Sequence, residues 1–181
     1  MYLDITSKDK IILKNVLNIL EMKHIKIGKK RSGQGHWAFR IQFKRVLFHK
    51  WLLSIGLSPN KSNTIGELEI PKDLFFDFLR GEWDGDGTIS CSEDKRWVNS
   101  HAVSIGFASG SDIFLIWLQT EINVRLKTAG YIHRGKKVSQ LRYAKKDTKK
   151  IFDAMFYSNN LPHLPRKFAK AQKIFKMTGL L

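Results

Sequence analysis

The feature that most constrains the fold is an internal repeat in the order of apolar segments. A strand, a helix, two strands and a helix follow one another twice, with the copies about a hundred residues apart. The first copy has a strand through Leu3 and Ile5, a helix over 8–20, strands over 24–28 and Trp37–Phe43 joined by a loop containing Gly33, and a helix over 44–55. The second has a strand through Val103, Ile105 and Phe107, a helix over 111–127, strands over 131–134 and 139–143, and a helix over 146–157. Two copies of this order predict a duplicated α+β architecture.

The second copy carries elements that the first copy lacks. They are a helix over 72–84, a strand over 88–91 and a C-terminal helix over 166–177. We therefore expect an N-terminal unit, residues 1–65, and a C-terminal unit, residues 66–181, which opens with the helix at 72–84.

Apolar spacing also predicts which side chains pack. In the helix over 44–55, the inward residues are expected to be Leu47, Phe48, Trp51 and Leu52. In the strand Trp37–Phe43, the aromatic and isoleucine side chains alternate with Ala38, Arg40 and Gln42. Alternation of this kind predicts one packed face and one face that meets solvent or a ligand.

Charge narrows the class of partner. The chain has 32 Lys and Arg against 16 Asp and Glu, a formal net charge of +16, and the basic residues are spread over its whole length. Such an excess favours a polyanion as partner. Nucleic acid is a better match than a membrane surface, because no segment gathers its positive charge on one helical face.

The start of the chain and its cysteine content exclude other classes. The first ten residues have no apolar signal core, and no apolar stretch is long enough to span a bilayer. Cys91 is the only cysteine, so neither an internal disulfide nor a cysteine zinc site can form. We expect an intracellular protein without membrane attachment, in the cytoplasm or nucleoid of a prokaryote or in an organelle matrix.

The helix over 72–84 is apolar on two neighbouring faces, which predicts burial on two sides. One face carries Leu74, Phe78, Gly81 and Gly85 at spacings of four, three and four residues. The glycines remove side chains where another backbone could approach closely. We expect this face to be the contact surface for a second helix and to be incompletely covered in the single chain.

Two carboxylates follow at the end of this helix, in Asp84-Gly85-Asp86-Gly87. The carboxyl end of a helix is the negative end of its dipole, so acids there are unfavourable unless a cation binds. Hard divalent cations such as Mg²⁺ prefer carboxylate oxygens. By composition alone, the segment could equally be an ordinary aspartate-glycine turn.

The residues around these carboxylates carry a more specific pattern. Leu79-Arg80-Gly81-Glu82-Trp83-Asp84-Gly85-Asp86-Gly87 resembles the nine-residue signature of the LAGLIDADG homing endonucleases, with matches at Leu79, Gly81, Asp84, Asp86 and Gly87. The segments Leu141-Arg142-Tyr143, Asn159-Asn160-Leu161-Pro162 and Arg166-Lys167 are also similar to that family. The resemblance covers nearly the whole chain.

This resemblance implies αββαββα repeats whose antiparallel sheets form a saddle over duplex DNA, with two motif helices packed at the centre. It implies that Asp86 binds a divalent cation, Mg²⁺ or another, and that Asp84 does so more weakly. Metal-assisted cleavage of a phosphodiester gains from nearby basic groups. The candidates are Lys145, Lys146, Arg166 and Lys167.

Recognition of double-stranded DNA is expected from the outward residues of the strands. Arginine reads guanine and glutamine reads adenine in the major groove. These residue types occur in both copies, as Arg40 and Gln42 in one and as Gln140 and Arg142 in the other. Three further basic residues, Lys26, Lys29 and Arg134, could reach base edges or phosphates.

The chain departs from the two-repeat pattern in one respect. It contains one motif helix, and its N-terminal repeat lacks the first helix and strand. The alternatives are an incomplete reading frame, a second chain that supplies the other motif helix, and a degenerate element that no longer cuts.

Three functions therefore stay open. The first is a site-specific, divalent-metal-dependent DNA endonuclease that promotes intron or intein mobility. The second is a non-catalytic DNA-binding remnant or regulator with the same fold. The third is an RNA maturase that assists intron splicing.

Overall fold

A computed structural model describes residues 2–31, 35–59, 63–94 and 100–181. The elements in these ranges are β1 (Leu3–Ser7), α1 (Lys10–Ile19), β2 (Gly28–Arg31), β3 (Trp37–Phe43), α2 (Val46–Ser54), α3 (Phe75–Asp86), β4 (Thr88–Glu93), β5 (His101–Ser109), α4 (Asp112–Leu126), β6 (Tyr131–His133), β7 (Ser139–Ala144), α5 (Lys145–Met155) and α6 (Pro165–Thr178). The predicted order of helices and strands is confirmed. Part of the predicted β2–β3 loop, residues 32–34 with Gly33, lies outside the described residues.

The C-terminal unit is a four-stranded sheet covered by helices on one face. The strand order is β4-β5-β7-β6, and all neighbouring strands are antiparallel. Helices α3, α4 and α5 pack against β5, on the face where Ile105, Phe107, Leu141 and Tyr143 are buried. The succession from α3 to α5 is the αββαββα unit that the resemblance implies, so the predicted fold class is confirmed.

The N-terminal unit repeats part of this arrangement. Its sheet has the order β1-β3-β2. Leu3 pairs with Phe43 in this sheet as Ile105 pairs with Tyr143 in the other, and both of these strand pairs are antiparallel. The element order is βαββα, without the first helix and strand of the larger unit. Its core is correspondingly small, and the buried apolar residues are Leu13, Leu17, Met22, Ile41 and Phe43.

Helix α2 is less buried than the apolar spacing predicts. Leu47 is 83% exposed and Trp51 is 50% exposed, while Phe48 and Leu52 are only partly buried. Trp37, expected on the packed face of β3, is also exposed. Spacing identifies side chains that share a face, but burial needs a second element to cover that face. In the part of the chain that the structure describes, no helix covers this side of α2.

Two predicted boundaries are wrong. Strand β2 begins at Gly28 rather than at residue 24, so Lys26 lies before the strand instead of within it. Helix α3 continues to Asp86 rather than ending at Asp84, and a single 3-10 turn, Lys72–Leu74, precedes it. The longer helix places both aspartates in its last turn.

Polar contacts join the two units. The Arg166 guanidinium donates to both carboxylate oxygens of Asp9, at 2.9 and 2.6 Å. The Asn15 side-chain amide donates to the carbonyl of His163 at 3.1 Å. The boundary between residues 65 and 66 stays a prediction. None of the described helices has the length and apolar character needed to cross a membrane.

Candidate metal centre and nucleic-acid interface

Helix α3 forms the base of the candidate site because one of its faces is anchored in the C-terminal core. Phe75, Leu79 and Trp83 recur at every fourth residue and are buried. The Trp83 ring meets Phe152 and Phe156 edge-on, with centroid distances of 6.0 Å to each. This packing fixes the position of the helix end that carries the two aspartates.

The predicted contact face of α3 is open at its glycines. A Cβ atom added at Gly81 or Gly85 would have no neighbouring atom within 4 Å, and Leu74 is half exposed. Phe78 is partly buried, because its ring packs edge-on against Trp117 with centroids 5.9 Å apart. The open part of this face is therefore defined by Leu74, Gly81 and Gly85.

A groove of about 460 Å³ runs along this helix, with α1 as its opposite wall. Ile12, Val16 and Ile19 line it from α1, and Gly81 and Asp84 line it from α3. The groove thus combines an apolar wall from the N-terminal unit with the glycine-bearing face of the motif helix.

Asp84 and Asp86 lie in contrasting surroundings. Asp84 is only 8% exposed, and its Oδ2 accepts a hydrogen bond from the Leu164 backbone amide at 2.8 Å. Burial raises the pKa of Asp84, although the Leu164 amide and Lys167 act in the opposite direction. Asp86 is exposed, and none of the hydrogen bonds or ion pairs among the described residues involves its carboxylate. Asp86 can therefore meet a ligand from solution, whereas Asp84 is part of the interior.

Asp86 opens into a cleft between the end of α3 and the end of β5. Ala108, Ser109 and Gly110 line the cleft together with Glu82. Glu82 precedes Asp86 by four residues, so both carboxylates belong to one face of the helix. Sequence reasoning did not assign Glu82 to the site, although its i, i+4 spacing from Asp86 was a usable signal.

Lys167 lies directly at this helix end. Its ammonium donates to the carbonyl oxygens of Trp83, Gly85 and Gly87 at 2.7, 3.4 and 2.6 Å. Burial lowers the pKa of Lys167, while the carboxylates of Asp84 and Asp86 act to raise it. Since the last carbonyls of a helix lack intrahelical donors, these bonds account for the extension of α3 to Asp86.

The other basic candidates are not brought to Asp86. Arg166 is paired with Asp9. Lys145 and Lys146 begin α5, immediately after β7. Ser139, at the opposite end of β7, follows Val138, which lines the Asp86 cleft. A six-residue strand spans roughly 20 Å, so the two lysines start far from that cleft.

The open face of the C-terminal sheet, the face without helices, carries Gln140 and Arg142. The Arg142 guanidinium donates twice to the Gln140 side-chain oxygen, at 3.0 and 2.6 Å. Arg142 lies opposite Gly106, which in turn lies opposite Thr88. The neighbours of Arg142 are small, so its side chain has room to turn toward a ligand on this face.

The open face of the N-terminal sheet carries Arg40 and Gln42, both of which contact Asp4. The Asp4 carboxylate accepts from Arg40 at 3.0 Å and from Gln42 at 3.4 Å, and it lies 3.8 Å from the Lys30 ammonium. Lys30 therefore joins this face, although sequence reasoning did not single it out. Its position in the β2–β3 register, opposite Ala38, was the missing signal.

The remaining basic candidates lie elsewhere. Lys29 pairs with Phe39 in the β2–β3 register, which puts it on the packed side of the sheet, opposite to Arg40. Lys26 is exposed and precedes β2. Arg134 follows β6 and donates to Asp112 at 3.1 Å. Of the seven predicted DNA contacts, the strand register places only Arg40, Gln42, Gln140 and Arg142 on the open faces.

The Asp86 cleft partly meets the requirements of a divalent cation. Carboxylate oxygens are suitable hard ligands, and Asp86 and Glu82 supply them. Among the described residues, no three His, Cys, Asp or Glu side chains converge in a way that could hold a metal ion. The arrangement fits an ion that takes its other ligands from water and from a phosphate group.

Comparison with known proteins identifies the fold. No protein-family model matches the chain, and no curated protein matches it in sequence. The homing endonuclease I-WcaI bound to its DNA recognition sequence is 16% identical, and the match covers 93% of this chain and 74% of that one with a TM-score of 0.62. I-DmoI in complex with DNA and Mn is 17% identical, with coverage of 87% and 82% and a TM-score of 0.54. Full-length DUF199/WhiA from Thermatoga maritima is 11% identical, with coverage of 94% and 53% and a TM-score of 0.58.

These matches show that the chain has the LAGLIDADG fold, as the motif predicted. The N-terminal domain of DUF199/WhiA is itself a LAGLIDADG domain, and this chain spans about half the length of the full-length protein. Because the fold is common to the homing endonucleases and to DUF199/WhiA, it does not by itself assign a reaction.

Proposed function

We propose that this protein is a site-specific, divalent-metal-dependent DNA endonuclease of the homing type, which acts in intron or intein mobility. The observation that carries the proposal is the contrast between the two motif aspartates. Asp84 is buried and bonded, whereas Asp86 is exposed in a cleft at the helix end. An exposed carboxylate at the negative end of a helix dipole has no structural benefit to the protein, but it suits a cation.

In this proposal Asp86 holds the cation, Mg²⁺ or another divalent ion, with Glu82 as the neighbouring carboxylate. A bound divalent cation would supply an activated water and neutralise charge on the scissile phosphate. Asp84 is not proposed as a ligand, because its carboxylate is buried and accepts from Leu164. Solved relatives of the fold contain DNA together with Mn or Mg, which supports the same chemistry here.

DNA binding is proposed for the two open sheet faces. Arg40 and Gln42 on one sheet, and Gln140 and Arg142 on the other, have the side chains that read base edges in the major groove. The formal charge of +16 favours the same partner, because neutralising phosphates and releasing counterions supplies much of the affinity for DNA. I-WcaI, which shares the fold, is bound to its DNA recognition sequence.

We further infer that a second motif helix, from a second chain or a further segment, occupies the groove between α1 and α3. Glycines at Gly81 and Gly85 permit close approach of another backbone. The opposite wall, with Ile12, Val16 and Ile19, is apolar and belongs to the same chain. A space between two helices admits one helix more readily than a complete α/β unit.

DNA binding without cleavage is the second candidate function. It is favoured by the single Asp86 cleft among the described residues, because two strands of a duplex need two cleavage events. It is also favoured by the ammonium of Lys167 beside Asp86, which disfavours a second cation there.

The test starts from duplexes selected for binding from a random pool, because the target sequence is unknown. Wild type should nick or cut a selected duplex with Mg²⁺ or Mn²⁺. Asp86→Asn should bind it within about twofold of wild type but cut at least about a hundredfold more slowly, as expected when a metal carboxylate is lost. Asp73→Asn, in the exposed turn before α3, is the matched control and should cut normally. Tight binding by wild type without any nicking would overturn the nuclease assignment and leave DNA binding in place.

A further inference from the structure

Three helix ends meet at residues 163–167, which lead into α6. The first is the N-terminus of α6, where Leu164 is the N-cap. The second is the C-terminus of α3, contacted by Lys167. The third is the N-terminus of α1, whose N-cap Asp9 is held by Arg166. One short segment thus touches the motif helix and the N-terminal unit together.

The contact between α3 and α6 is reciprocal. Lys167 of α6 supplies donors to the last carbonyls of α3, and Asp84 of α3 supplies an acceptor to the first amide of α6. Each helix end has unsatisfied groups of the kind that the other helix provides. The Lys167 ammonium also lies 5.7 Å from the centre of the Trp83 ring, whose edge is buried in the core. This contact fixes the backbone of residues 83–87, to which the Asp86 carboxylate is attached.

The contact between α6 and the N-terminal unit uses the adjacent residue. Arg166 binds Asp9 through two hydrogen bonds, and the Asn15 amide binds the carbonyl of His163. Asp9 lies between β1, which carries Asp4 and Thr6 on the open face, and α1. The clasp therefore holds the N-terminal sheet at a defined position relative to α3.

From this geometry we propose that Lys167 and Arg166 are positioning residues with separate effects, Lys167 on the placement of Asp86 and Arg166 on the placement of the N-terminal sheet. Neither acts directly on the phosphate. The three hydrogen bonds of the Lys167 ammonium to backbone carbonyls leave it no free N–H donor, and Arg166 is neutralised by Asp9. The inference rests on the proposed function for its consequences in metal and DNA binding, but not for its structural content.

The structural content is tested by amide hydrogen exchange at residues 84–88. Lys167→Met should accelerate exchange there by about tenfold or more relative to wild type, because the carbonyls lose their donors. Lys170→Met, one turn further along α6 and exposed, is the matched control and should leave exchange unchanged. Lys167→Gln, which keeps two donors, should give an intermediate value and serves if the methionine variant does not fold. Equal exchange in wild type and both Lys167 variants would overturn the proposal, whether or not the protein cuts DNA.

The functional content is tested by two binding measurements on DNA-bound protein. Lys167→Met should weaken Mn²⁺ binding, measured by electron paramagnetic resonance, by about tenfold, with DNA affinity within about twofold of wild type. Arg166→Met should do the reverse, weakening DNA affinity by about two- to fivefold with Mn²⁺ binding unchanged. Asp9→Asn should match Arg166→Met, and the double variant should be no weaker than either.

The outcomes separate the two proposals. If wild type binds no Mn²⁺, the proposed nuclease function fails, and the hydrogen-exchange result alone decides the role of Lys167. If wild type binds Mn²⁺ and Lys167→Met binds it equally well, Lys167 does not position Asp86. If Lys167→Met instead cuts slowly even at saturating Mn²⁺ and binds the ion normally, Lys167 acts directly on the reacting phosphate, and the positioning role is wrong.

Discussion

The two units of this protein share a strand register but differ in how much apolar surface they bury. Ile105 and Ile151 are fully buried in the C-terminal unit. At the corresponding places of the N-terminal unit, Leu3 is only partly buried and Trp51 is half exposed. The element that makes the difference is α3, which packs on β5 and α5 and has no counterpart over β1 and α2 in the described residues.

This comparison separates two sources of structure. Strand pairing and the positions of the helices recur in both units, so they follow from local alternation and helical spacing. A complete core appears only where the motif helix is present. The motif helix is therefore a structural keystone of each unit as well as the carrier of the carboxylates.

The sharpest way to break this comparison is to truncate one tryptophan in each unit. Trp83→Ala should lower the free energy of unfolding by about 3–5 kcal/mol, because it leaves a cavity between α3 and α5. Trp51→Ala should cost less than about 1 kcal/mol, since half of that side chain already meets solvent. Urea titration of both variants measures this difference. Equal losses would mean that α2 is covered in solution.

The open faces of the two sheets give the next largest effect. Arg40→Ala should weaken binding to a selected duplex by about 1–3 kcal/mol and relax its sequence preference, as expected for an arginine that reads a base. Lys29→Ala is the control within the same unit, because Lys29 points to the other side of the sheet. Fluorescence anisotropy at one stated salt concentration should show a change of less than about twofold for that variant. A larger loss for Lys29→Ala would mean that the face assignment is wrong.

The glycine face of α3 tests whether the groove is open in solution. Gly81→Ala in the free chain should raise the free energy of unfolding by up to about 1 kcal/mol, because alanine favours a helix and its methyl group meets no neighbour. If a second helix already covers this face, the same change should destabilise the protein and loosen the assembly in sedimentation. Gly87→Ala is the matched control, because a Cβ there would lie 2.3 Å from Trp83 and should destabilise in either case.

The two carboxylates near the start of α6 should give opposite and small pH dependences. The hydrogen bond from Arg166 lowers the pKa of Asp9 below 3.8, so its stabilisation is present above that pH and is lost as pH falls through the lowered pKa. Burial raises the pKa of Asp84, so its ionised form becomes a cost as pH rises above 3.8 through the raised pKa. Both contributions are expected to be small, a few tenths to about 1 kcal/mol for the half-exposed Asp9 pair.

Denaturant titrations at several pH values check these signs. Asp9→Asn should be less stable than wild type near neutral pH, and the difference should shrink below pH about 4. Asp84→Asn keeps an acceptor for the Leu164 amide, so its stability relative to wild type should rise with pH over the same range. If the two variants show the same pH trend, the assignment of their surroundings is incorrect.

The motif and the repeat predicted much of this molecule from the sequence. The LAGLIDADG fold, the exposed contact face at Gly81 and Gly85, and the reading face with Arg40 and Arg142 all followed from spacing. Lys29 was placed on the reading face because the start of β2 was set four residues too early, and turn geometry between two short strands is weakly specified by residue type.

The residues around Asp86 show what sequence reasoning could not reach. Lys145, Lys146, Arg166 and Lys167 had equal standing in the sequence, since all four are basic residues near the start of a late helix. The structure pairs Arg166 with Asp9, sends the two adjacent lysines to the far end of β7, and brings Lys167 to α3. These contacts join residues separated by about 80 positions or more in the chain, a distance at which no local pattern operates.

The sequence by itself determined which elements form and which face of each is apolar, because period-two and period-3.6 spacing act within a few neighbouring residues. Only the tertiary structure decided which of two adjacent aspartates is buried and which is exposed. That outcome depends on how the start of α6 lies against the end of α3, and the packing of distant surfaces sets it.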